Sequence, residues 1–183
     1  LVLVHDSEFQ KLFGVSANAV IDGYGRLEKA LSNERLEGLT ALRRLFEKAG
    51  SADEADFSKM PEEDLRAAEE ASLEAFSVHH FNVERITNWP KAFMDALSFA
   101  PGEACFFEEG EMQYWPIVAL PIVDRPFIKL NGEIYCFDYY SLTDNFYRAV
   151  QKAILRLDPG YSEQWQQKQK EASENMVDSV FKE

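Results

Sequence analysis

The sequence predicts an α+β fold: a helical part to about Ala100, an antiparallel β-meander with an Asn-Gly hairpin, and two C-terminal helices. Three observations predict it. Apolar residues recur at helical spacing through the first hundred positions. Aromatic and β-branched runs then take over, and helical spacing returns from Ser141. Such segregation of the two patterns favours α+β over a wound α/β sheet. The 183 residues, 46% hydrophobic and 28% charged, fit a single domain or a fragment of a longer chain. Its parts would be 1–100, mainly helical; 101–160, antiparallel sheet plus helix; and 161–183, a linking helix.

Asp6-Ser7 can cap a short helix with Phe9, Leu12 and Phe13 on one face and Gly14 as its stop. Ser16 caps the next, in which Ala17, Val20, Ile21, Tyr24, Leu27 and Leu31 form a stripe. Gly23 and Gly25 interrupt that stripe at about 1 kcal/mol each relative to Ala; either another backbone packs closely there, the favoured reading, or the helix bends. Ser32-Asn33 punctuates the chain. A helix with Leu36, Leu39, Leu42, Leu45, Phe46 and Ala49 follows and ends at Gly50. After a loop over 51–59, Pro61 and the acids Glu62, Glu63 and Asp64 open a helix with a thin apolar stripe, Leu65, Ala68, Ser72 and Phe76. A short helix from Asn88-Trp89-Pro90 through Leu97 ends at Pro101-Gly102.

The strand region holds the strongest local signal, Asn131-Gly132 between two apolar runs. Both residues tolerate positive φ, so a type I′ turn would pair Leu130 with Glu133 and Ile128 with Tyr135. A further turn is expected at Gly110. Ser141-Leu142-Thr143-Asp144 resembles a capping box and opens a helix burying Leu142, Phe146, Ala149, Val150, Ala153 and Leu157. The last helix starts near Ser162.

Seven of the 24 aromatic residues lie between Phe127 and Tyr147. Phe127, Tyr135, Phe137 and Phe146 occupy positions that a helix-on-sheet core would fill. Tyr139 and Tyr140 sit at a strand-to-helix junction, so Tyr135, Tyr139 and Tyr140 form a candidate pocket edge.

A net charge of −13 opposes direct binding to nucleic acid or to an anionic membrane. No run approaches a membrane span. Cys105 and Cys136 lack metal or redox spacing and read as reduced, buried thiols, which with the absence of a signal peptide points to the cytoplasm. His79 and His80 are adjacent, and in an extended segment they would point to opposite sides. His5 has no neighbouring ligand type. No metal and no cofactor are therefore expected, and phosphate-loop, dinucleotide, nucleophile-elbow and zinc-protease motifs are absent. A Cys136–His80 nucleophile pair rests on residue types alone. Glu108, Glu109 and Glu111 read as a solvated turn, and the nine acids between Asp53 and Glu74 as a solvated helix face. Arg148, Lys152 and Arg156 recur every four residues as a candidate basic contact face. It could be solvated, or could meet the acidic helix of residues 61–76.

Pro126, Ile128, Asn131, Gly132 and Tyr135, with Tyr147 and Arg148, give residues 114–183 a resemblance to a region of large uncharacterised bacterial proteins. In those, a hairpin and helix of this kind precede a restriction-endonuclease-like domain. The resemblance implies a nuclease-like domain beyond Glu183. The metal-binding D…(D/E)-x-K signature is missing here, since Phe127 stands two positions before Lys129.

The expected role is a non-catalytic regulatory or protein-interaction segment of a larger bacterial protein. The alternative is part of a metal-dependent nuclease or other hydrolase. Trp165, Ala172, Met176, Val177, Val180 and Phe181 form the apolar set of the last helix, and no stop signal follows. Met176, Val180 and Phe181 are thus the candidate interaction face, toward another chain or a further domain of this one.

Overall fold

A computed structural model describes residues 2–50, 56–75, 77–103 and 124–180. Among them, eight α-helices surround a three-stranded sheet. The helices are α1 (Asp6–Phe13), α2 (Ala17–Lys29), α3 (Arg35–Ala49), α4 (Glu62–Ala75), α5 (Val83–Thr87), α6 (Lys91–Ala96), α7 (Tyr139–Leu157) and α8 (Ser162–Val180). The strands are β1 (Ser98–Phe99), β2 (Phe127–Leu130) and β3 (Glu133–Tyr135).

Local signals set the first two helices. Gly14, at φ 66°, ends α1, and Ser16 Oγ accepts the Ala19 N–H at 3.1 Å. Asp6 does not cap its own helix. Its carboxylate accepts the Ala17 N–H at 2.6 Å, so the start of α1 caps the start of α2.

Gly23 is where α2 meets the core. It is buried against the Trp89 indole, whose Nε1–H donates to Ala19 O at 3.2 Å. The close approach is therefore by a side chain, not a backbone. Gly25 faces open space and Ile21 is exposed, so the buried stripe of α2 is Ala17, Val20, Gly23 and Leu27. Trp89 stacks on Phe146 (5.6 Å between centroids, 11° between planes) and meets Phe93 edge-on at 5.1 Å.

The expected break at Ser32-Asn33 does not occur. A π-helical turn, Ala30–Glu34, carries α2 into α3, and Ser32 Oγ donates to Glu28 O at 2.7 Å. That hydroxyl serves the preceding turn instead of capping the next helix. α3 then pairs with α4 as an antiparallel arm, joined by Lys48–Asp64 at 2.8 Å and by an edge-on contact between Phe46 and Phe57. Among the described residues, neither helix of the arm contributes to the main apolar core, which is drawn from Phe9 to Leu31 and from Val83 to Trp165.

The sheet has the order β1-β2-β3. β2 and β3 are antiparallel, pairing Ile128 with Tyr135, Lys129 with Ile134 and Leu130 with Glu133. Asn131 and Gly132 between them have φ 53° and 87°. β1, however, is parallel to β2, pairing Ser98 with Phe127 and Phe99 with Ile128. The sheet is mixed, which corrects the expected antiparallel meander. A two-residue strand leaving α6 directly is too short to show alternation. Cys105, Gly110, Glu108, Glu109 and Glu111 lie outside the described residues.

α7 begins at Tyr139, two positions before the expected Ser141 cap, with its first helical bond from Leu142 N–H to Asp138 O. Leu142, Phe146, Ala149, Val150 and Ala153 are buried as their spacing requires, whereas Leu157, at the helix end, is exposed. Phe127 and Tyr135 are buried. Phe137 falls after β3 and is half exposed, so it is not a core residue.

Candidate functional site

The three predicted side-chain sets fare differently. The tyrosines do not form one edge. Tyr135 is buried in β3, stacked on Phe137, and donates its hydroxyl to Glu133, which raises its pKa above the ordinary phenol value. Tyr139 packs against the core, and Tyr140 stands 78% exposed at the start of α7. An open groove of ≈ 560 Å³ lies along α4, lined by Glu62, Glu63, Arg66, Ala67 and Glu70, and no tyrosine borders it.

Two of the three basic residues are occupied inside the fold. Lys152 pairs with Asp124, and the Arg156 guanidinium donates to Ala96 O at 2.6 Å, at the end of α6. Arg148 is exposed. Among the described residues no ion pair joins this stripe to the acidic helix α4, whose Asp64 is taken by Lys48 from within the arm.

α8 divides into two halves with different environments. Its first turn is anchored by Tyr161 and Trp165, both buried. His5, far from being isolated, lies fully buried and stacked on Trp165 at 3.6 Å between ring centroids. The Gln169 amide donates to its Nε2 at 2.6 Å, which leaves Nδ1–H to donate to the Tyr161 hydroxyl at 3.1 Å. Burial, reinforced by the nearby Lys168 charge, pushes the His5 pKa down to about 4. Beyond this anchor α8 projects from the body. Met176 is 59% and Val177 51% exposed, beside the acids Glu171, Glu174 and Asp178. Nothing is described for the side chain of Val180 or for Phe181.

Histidine placement departs most from expectation. The segment Val78–Phe81 is a 3-10 turn, not an extended strand, and it brings the rings of His79 and His80 to 4.1 Å. Both Nε2 atoms face the same oxygen, Glu74 Oε1 in the last turn of α4, at 3.2 and 3.1 Å. Adjacent residues converge when the backbone turns. No periodicity signal encodes this.

Cys136 is buried, and desolvation pushes its thiol up to about 12. Burial thus favours the protonated thiol over a nucleophilic thiolate at neutral pH. Among the described residues, no helix is long and apolar enough to cross a membrane. Comparisons with protein families, with curated proteins and with solved structures give no match to this chain.

The arm leaves several large apolar side chains uncovered. Leu39 and Phe46 are exposed on α3, and Leu73 is 69% exposed on α4. The signal was present in the imbalance between a broad Leu/Phe stripe on α3 and the thin stripe of α4 that has to cover it.

Proposed function

We propose that this chain is a non-catalytic regulatory or protein-interaction segment that docks a protein partner through the outer half of α8. One observation carries the reading: Met176 and Val177 stay exposed on a helix whose other end is firmly anchored by His5, Tyr161 and Trp165. A helix fixed at its root and bare at its tip presents a ready-made ridge, and exposed apolar side chains in a cluster mark binding surfaces. Glu174, one turn before Val177 on the same face, favours a partner whose apolar groove has a basic group at its edge.

The test uses affinity capture with wild-type protein and with a Met176→Ser/Val177→Ser variant, followed by binding measurements on the purified, identified partner. A partner that binds wild type and is lost by the variant supports the reading. Hydrolysis of DNA or RNA by the purified chain with Mg²⁺ or Mn²⁺, abolished by changing an acidic cluster, would replace it with the nuclease alternative.

A further inference from the structure

We propose that Glu74, His79 and His80 form a binding site for a divalent transition metal, Zn²⁺ foremost, that clasps the tip of α4 to the turn beneath it. The donor atoms of all three lie within 4.8 Å of one another. The two contacts to Glu74 Oε1, 3.1 and 3.2 Å, approach the roughly 3.3 Å between ligands of a tetrahedral centre with bonds of about 2.0–2.1 Å. Full closure needs only a modest movement of His79, whose side chain is 44% exposed.

The geometry leaves room for a hydrogen or a metal between these three atoms. Two imidazole nitrogens and a carboxylate oxygen that face one another repel unless a proton or a metal lies between them. A second contact supports the metal. His79 Nδ1 is 2.5 Å from Ser77 Oγ. An Nδ1–H donated to that hydroxyl leaves the Nε2 lone pair directed at Glu74, the tautomer a ligand needs, and an outer-shell partner of this kind orients metal-bound histidines. The site also sits just past the C-terminus of α4, where the helix dipole favours positive charge.

Two nitrogens and one carboxylate suit zinc and its neighbours rather than Mg²⁺ or Ca²⁺, which prefer all-oxygen shells. Three protein ligands leave a fourth position open to water or to a partner's side chain. The metal would hold the arm, because Glu74 lies in the last turn of α4 while the Val78–Phe81 turn packs against the π-helical turn that launches α3.

The experiment is calorimetric titration of tag-free protein with Zn²⁺ at neutral pH, with Co²⁺ as a spectroscopic probe and Mg²⁺ as a control. Expected are one equivalent of Zn²⁺ bound in the micromolar range, visible Co²⁺ bands of low coordination number, and no heat with Mg²⁺. His79→Ala should abolish binding without unfolding the protein, and Ser77→Ala should weaken it by about tenfold. His5 cannot substitute, being buried against Trp165. Zinc should raise the melting temperature of wild type and leave that of His79→Ala unchanged. Absence of saturable Zn²⁺ uptake would show that these groups bind no metal, and uptake undiminished in His79→Ala would place the metal elsewhere; either result would overturn the proposal.

Discussion

Gly23 and Gly25 lie two residues apart in one helix, yet alanine at each is expected to act in opposite directions. A Cβ added at Gly23 would stand 2.5 Å from Trp89 Cε2 and 2.9 Å from Cδ1, with Nε1 nearer still. The indole cannot retreat freely, because it is bonded to Ala19 O, stacked on Phe146 and braced edge-on by Phe93. Overpacking of this kind costs about 1–3 kcal/mol, and losing the indole hydrogen bond adds about 1 kcal/mol. Against this, alanine gains about 1 kcal/mol of helix propensity. Gly23→Ala should therefore destabilise the protein by about 1–3 kcal/mol. At Gly25 an added Cβ meets nothing within 4 Å, so only the propensity gain remains and Gly25→Ala should stabilise by up to about 1 kcal/mol. Urea denaturation followed by circular dichroism reads both values. Equal stabilisation by the two alanines would refute the packing of Trp89 on Gly23.

Protonation of His5 should weaken the fold. Its pKa is lowered from 6.5 to about 4 in the native state, so between these values the unfolded chain binds the extra proton. Stability is full above pH 6.5, falls as pH drops through the window, and loses at most about 3 kcal/mol. Denaturation curves across that range should show a slope that His5→Gln reduces; an unchanged slope would contradict the assignment. The basic stripe of α7 should separate by role in thermal melts. Arg156→Ala, which removes the donor to Ala96 O, should cost about 1 kcal/mol, while exposed Arg148→Ala should stay within about 0.5 kcal/mol.

What was legible in the sequence depended on a local cause. Ser16 caps and Gly14 stops because each acts on backbone within a turn of itself. The α7 stripe could be read because one face of a long helix is buried against one core. Features built from distant residues were not legible. Trp89 fits against Gly23 from across the chain, and the His5 anchor spans from the N-terminal turn to α8. The convergence of His79 and His80 turned on whether four residues were extended or coiled, a choice their composition leaves open. For the same reason β1 carries no strand signal, since two residues cannot display a period.

Titration of the purified partner into wild-type and Met176→Ser/Val177→Ser protein tests the interaction role most directly. Both side chains are exposed, so circular dichroism and melting temperature should match between the two proteins, with stability changed by no more than about 0.5 kcal/mol. An apolar ridge at the centre of an interface is worth about 2 kcal/mol or more, so affinity should fall by about 30-fold or more. An unchanged dissociation constant in the folded variant would show that the outer half of α8 is not the docking surface.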